Sequence, residues 1–145
     1  MREVHYILKN GIAMPTYDRN EWLKQFGNAD LRRVALTEIH HHTVSTVFLG
    51  IDHGLGRSEF PVLFETMVFK GEHSLKTVDD GQSVAFQDEA TQEWRDMQRY
   101  SFYGDAIQGH HETVRAIEKQ FGELQERVSG LLYGIINAEE WVRDQ

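Results

Sequence analysis

The sequence predicts an α+β domain: an antiparallel sheet of four to six strands with a short N-terminal helix and a long C-terminal helix. Three observations lead there. Three blocks rich in Val, Ile, Phe and Thr follow one another between Arg33 and Phe69. Polar or Gly-rich connectors separate them, which favours a meander. From Ile107 to Ile135 apolar residues recur at alternating spacings of three and four, the period of a helix. With 145 residues, 40% hydrophobic and 11% aromatic, the chain has length and apolar surface for one domain, residues 1–145.

The elements follow in order. Val4, Tyr6 and Leu8 alternate with Glu3, His5 and Ile7, and Asn10-Gly11 supplies a tight turn before Ile12–Met14, so the chain opens on an edge hairpin. Asp18 is placed to cap a short helix, with Glu21 completing a capping box, Trp22, Leu23 and Phe26 on one face, and Gly27 at the end. The three main strands are Arg33–Ile39, Thr43–Ile51 and Val62–Phe69, joined by a polar turn at His40–His42 and a Gly-rich loop at Asp52–Pro61. Both faces of the second and third are apolar, so something must cover each. Residues 70–92 read as a mobile loop with a brief strand at Val84–Phe86, and a fourth main strand is expected around Arg95–Phe102.

Asp105 is the expected N-cap of the C-terminal helical segment, 105–143. Its seam runs Ile107, His110, Val114, Ile117, Phe121, Leu124, Val128, Leu131 and Ile135, with His110 the polar exception. One helix from Ile107 to Ile135 would be roughly 44 Å long at about 1.5 Å per residue, more than a domain this size covers by itself. Either a second copy covers the surplus, with Ile107, Val114, Ile117, Phe121, Leu124, Val128 and Leu131 at the interface, or Gly122 or Gly130 breaks the segment into two helices. Both readings stay open here.

Charge and composition narrow the function classes. Lys and Arg total 15 against 23 Asp and Glu, giving −8; residues 70–145 hold 15 of the acids and 8 of the bases. No basic stripe exists to displace counterions from nucleic acid, and no apolar run is long enough to span a bilayer. Without cysteine there is no disulfide framework or thiolate chemistry, and Met1–Leu8 lacks the apolar centre of a signal peptide, so a reducing, intracellular setting is expected.

Several side chains invite chemistry. Eight histidines, including His40, His41, His42 and the Asp52-His53 pair, suggest a metal site, but consecutive turn residues point in different directions; solvated turn histidines are preferred, with no metal and no cofactor expected. His41-x-Thr43 and His111-x-Thr113 match the paired pattern of two-histidine phosphoesterases. That chemistry needs both motifs on facing strands, whereas the second falls in the helix. Glu65 stands in an apolar strand and needs a cation, with Arg33 and Arg99 the nearest candidates. The plain reading is an ion pair, and the sharper one a polar ligand pocket of Arg33, Glu65, Arg99 and His53. His110 reads as a hydrogen-bonded core histidine.

The segments Val44-Ser45-Thr46-Val47-Phe48-Leu49-Gly50-Ile51-Asp52-His53, Leu63-Phe64-Glu65-Thr66-Met67-Val68-Phe69, Arg99-Tyr100-Ser101 and Gly109-His110, with His5-Tyr6-Ile7 near the start, resemble a group of small uncharacterised proteins encoded by bacteriophages and prophages. The resemblance covers most of 4–114 and carries no activity, substrate or cofactor. It implies a setting of phage infection in the host bacterial cytoplasm. From the chain as a whole the leading expectation is an accessory protein that works without catalysis, a homo-oligomer that binds a host protein or a small signalling nucleotide, with counter-defence as a role suggested by context alone. The alternatives are a small histidine-dependent phosphoesterase or hydrolase, and a minor virion or assembly component.

Overall fold

A computed structural model describes residues 4–70, 74–77, 83–86 and 97–143. The fold is α+β, as the sequence predicts. Strands β1 (His5–Lys9) and β2 (Ile12–Thr16) form a hairpin; α1 (Arg19–Phe26) and the four-residue α2 (Ala29–Arg32) follow. The main sheet is antiparallel, in the order β3 (Arg33–Ile39), β4 (His42–Phe48), β5 (Phe64–Lys70) and β8 (Met97–Tyr100). Between β5 and β8 lies a small antiparallel pair, β6 (Ser74–Thr77) and β7 (Ser83–Phe86). A single helix, α3 (Tyr103–Arg143), ends the described chain.

Local chemistry accounts for most boundaries. Asn10 and Gly11 both take positive φ, 52° and 76°, which closes the first hairpin with the twist its strands require. The Asp18 carboxylate accepts from the backbone N–H groups of Asn20 (3.0 Å) and Glu21 (3.2 Å), so α1 is capped as expected. The return arm of the capping box is absent: Asp18 N–H donates to Thr16 Oγ1, and Glu21 pairs with Lys9 at 3.0 Å. Helix α2 has no counterpart in the sequence reading, because one turn is too short to show a period; Asn28 caps it.

Two further points differ from expectation, and one open question is answered. Within 70–92 Lys70 ends β5 and the structure describes β6, which shows no strong strand signal, beside the expected β7; the rest of that segment lies outside the described residues, as do the first two residues of the predicted fourth strand. Helix α3 starts two residues before Asp105, with Phe102 C=O accepting from Ala106 N–H at 3.0 Å. Asp105 therefore sits in the first turn, where its charge favours the helix dipole, and is not the cap. The open question of one helix or two is answered by 41 continuous helical residues, about 60 Å at 1.5 Å per residue.

Polar contacts tie α1 to the first hairpin and the N-terminal segment to the main sheet. Gln25 spans Leu8, accepting from its N–H (2.7 Å) and donating to its C=O (2.9 Å), so a side-chain amide replaces a strand partner at that position. Trp22 donates from Nε1 to Gly50 C=O at 3.1 Å while stacking on His5 and Phe26. Gly50 has φ +75°, and a Cβ there would stand 3.2 Å from that nitrogen, so backbone and space both call for glycine. Arg32 donates to Phe48 C=O at 3.0 Å and lies over the Phe26 ring.

Helix α3 covers one face of the sheet. Phe48, Leu63, Phe64 and Ala106 form one buried cluster, joined by Tyr6, Leu8 and Tyr103; Val44, Val68 and Ile117 form a second with Ile39 and Val114. Each such side chain contributes about 1.5–3 kcal/mol when fully buried. The β3–β4 turn also reaches the helix: His40 and His41 take positive φ (47° and 61°), and the His40 ring stacks on Phe121 at 3.7 Å between centroids. On the opposite face Leu36, Val47, Met67 and Phe69 are half-buried.

Helix and sheet pass close to one another at Gly109, where a Cβ would overlap the Tyr100 hydroxyl of β8. At Gly122 and Gly130 of the same helix a Cβ would meet nothing within 4 Å. Gly130→Ala should therefore stabilise the protein by about 0.5–1 kcal/mol through helix propensity, whereas Gly109→Ala should destabilise it by about 2 kcal/mol or more by displacing Tyr100. Chemical denaturation of the two variants checks this; equal effects at both positions would contradict the close approach.

Candidate functional site

Where α3 crosses β3, β4 and β5, the apolar contact is interrupted by one buried imidazole. His110 is 1% exposed. Its Nε2 lies 2.8 Å from Thr37 Oγ1 and its Nδ1 lies 2.8 Å from Thr46 Oγ1. Thr46 Oγ1 is in turn 2.6 Å from Thr66 Oγ1, and on the next strand the Tyr100 hydroxyl donates to Gln98 Oε1 at 2.9 Å. Strand alternation explains the alignment. Thr37 and Val44 are paired, as are Thr46 and Thr66, and Thr66 and Gln98, so these side chains share the helix-facing side of their strands.

A neutral imidazole carries one N–H and one bare nitrogen, so His110 donates to one of the two threonines and accepts from the other. Burial, and secondarily the neighbouring His111, holds the His110 pKa below its ordinary value, and burial pushes the Tyr100 hydroxyl above its own. Both groups are neutral near pH 7, and the chain is satisfied from end to end. An imidazole so enclosed is a structural hub; it is not presented to a substrate.

The predicted ligand-pocket residues divide. Arg33, Val47, Glu65 and Arg99 are successive register partners and form one row across the opposite face of the sheet. Arg99 Nε donates to Glu65 Oε2 at 2.9 Å, and Arg33 pairs with Asp30 at 3.2 Å. The row thus brings three of the four residues to one face, with Glu65 meeting Arg99 as the plain reading holds. His53 lies elsewhere, exposed on the 52–61 loop. That loop is organised by Asp52, whose carboxylate accepts from the N–H groups of Gly54 (2.7 Å), Gly56 (3.1 Å) and Val62 (2.8 Å). Partial burial would raise its pKa, but these donors and His53 outweigh that effect and the net shift is downward.

The histidine motifs do not assemble. His41 is exposed at the β3–β4 turn, and His111 is exposed on α3, while Thr113 is buried and donates to Gly109 C=O at 2.8 Å. Among the described residues no group of three His, Asp or Glu side chains is placed to hold a metal ion. No described helix is long and apolar enough to cross a membrane.

The predicted interface residues also divide. Val114 and Ile117 pack into this chain's own sheet, Phe121 lies against His40, and Ile107 is half-buried. Beyond them α3 leaves the sheet, and Leu124, Val128 and Leu131 are 57%, 48% and 69% exposed. Comparison with protein-family models, with curated proteins and with solved structures finds no match to this chain.

The buried histidine carries a pH signature. Its folded pKa is depressed, whereas in the unfolded chain it protonates near about 6.5; below that pH the unfolded state binds more protons, so stability is full above about 6.5 and falls as pH drops towards the folded value. Denaturation at pH 7.5 and 5.5 should show this loss. His110→Gln should be less stable at pH 7.5 by about 1–3 kcal/mol, with a smaller difference between the two pH values. An unchanged pH dependence in the variant would show that His110 is not the titrating group.

Proposed function

We propose that this protein acts by binding and not by catalysis, as a phage accessory protein in the host bacterial cytoplasm, and that the outer half of α3 pairs two copies into a dimer that engages a host protein. The observation that carries the reading is the exposed seam of Leu124, Val128 and Leu131, with Leu132 beside it, also 56% exposed. It continues the stripe that the inner half of the helix spends on its own sheet. Four such side chains on one helix are costly in water unless a partner covers them.

The pattern around the seam supports a second copy as that partner. Gln120, Gln125 and Arg127 flank it, while Glu123 and Glu126 lie towards the far side of the helix at 100° per residue. Glu123 and Glu126 are thus turned away from this stretch of the seam, which lowers like-charge repulsion between two copies that approach along it. The phage resemblance fits the same division. Its quoted segments contain Thr46, Thr66, Tyr100, Gly109 and His110, which build the domain; the helix beyond Val114 departs from it and supplies what is particular to this chain.

Leu124→Asp combined with Val128→Asp tests the reading, since both side chains are about half exposed and the core should tolerate the change. Light scattering should give twice the 16.9 kDa chain mass for the wild type and one chain mass for the variant, with a folded circular dichroism spectrum in both. A wild-type monomer, or a variant of unchanged mass, would overturn the dimer.

A further inference from the structure

A cavity of about 440 Å³ opens where the β1–β2 turn, the 52–61 loop and the start of α3 converge. Its floor is the buried pair Leu63 and Phe64, and its rim carries Ile12, Phe60 and Phe102, each about half exposed or more, with Tyr103 alongside. The rings are already set edge to face: Phe60 on Phe102 at 5.1 Å and Phe64 on Tyr103 at 6.0 Å between centroids. We infer that this cavity is a binding site for an uncharged, planar aromatic small molecule, a reading independent of the dimer.

The class of ligand follows from what surrounds the cavity. The lining comes from four separate segments that meet in a half-open cleft of small-molecule size. Among the described residues no charged side chain lines it, so nothing there neutralises an ion brought out of water. No lining side chain offers a counter-charge of either sign, so an ion of either kind would lose its water without compensation. What remains is a neutral ring system, which the flat and edge-on aromatic surfaces accept in offset or T-shaped contact. Tyr6 and Ser101 place hydroxyl-bearing side chains in the lining, so a single polar edge on the ligand can be met.

Indole, neutral and planar with one N–H, is a suitable probe. Intermolecular nuclear Overhauser effects on the wild-type protein should connect indole protons to the rings of Phe60, Phe102 and Tyr103. Indole-3-acetate and tryptamine, its anionic and cationic relatives, should bind at least tenfold more weakly. Phe60→Ala with Phe102→Ala should weaken indole at least tenfold while the melting temperature stays within a few degrees. Contacts that map elsewhere, or an anion or cation that binds as well as indole, would overturn the assignment; because the contact map uses wild-type protein, it decides the matter even if the double variant is unstable.

Discussion

The structure turns on one buried imidazole. An imidazole with no water to bond costs free energy unless both ring nitrogens find partners, and His110 finds them on two strands at once, Thr37 on β3 and Thr46 on β4. Apolar contacts between a helix and a sheet tolerate sliding by a fraction of a turn; two hydrogen bonds of 2.8 Å do not. The pair sets both the rotation of α3 about its axis and its position along the sheet. Through Thr66 the same chain of bonds extends to β5, and the close passage of Gly109 beneath Tyr100 lets the helix lie near enough to the sheet to make it.

With the inner half of α3 held in this way, its outer half has no freedom to fold back. A continuous helix of 41 residues fixed near its start must carry its last turns past the edge of a four-stranded sheet. The exposed leucines and valine beyond Phe121 are therefore a consequence of the polar hub together with the unbroken helix. Gly122 and Gly130 do not interrupt it, since helical hydrogen bonds continue on both sides. One stripe is thus core at one end and exposed apolar surface at the other.

Much of this was legible from residue types alone. The Val, Ile, Phe and Thr blocks marked β3, β4 and β5 to within a few residues, Asn10-Gly11 marked a turn that needs positive φ, and Asp18 marked the start of α1. Glu65 announced its need for a cation because a carboxylate in an apolar strand has few other ways to exist. The threonine chain was hidden for a physical reason. Thr is an ordinary strand former, so Thr37, Thr46 and Thr66 look like β propensity until the helix position is known, and only the His110 interruption of the seam hinted at polar partners. The separation of His53 from Arg33 was equally invisible, because it depends on how Asp52 folds the following loop back on itself. The cavity was beyond reach, since its walls come from segments far apart in the chain.

The claim that orders the account is that His110 is neutral and locked between two threonines in a single tautomer. Ring ¹⁵N chemical shifts of His110 measure this directly. The account predicts one protonated and one unprotonated ring nitrogen at pH 7, with no averaging between tautomers. Averaged shifts of an imidazole exchanging both forms, or a ring already protonated at pH 7, would contradict it.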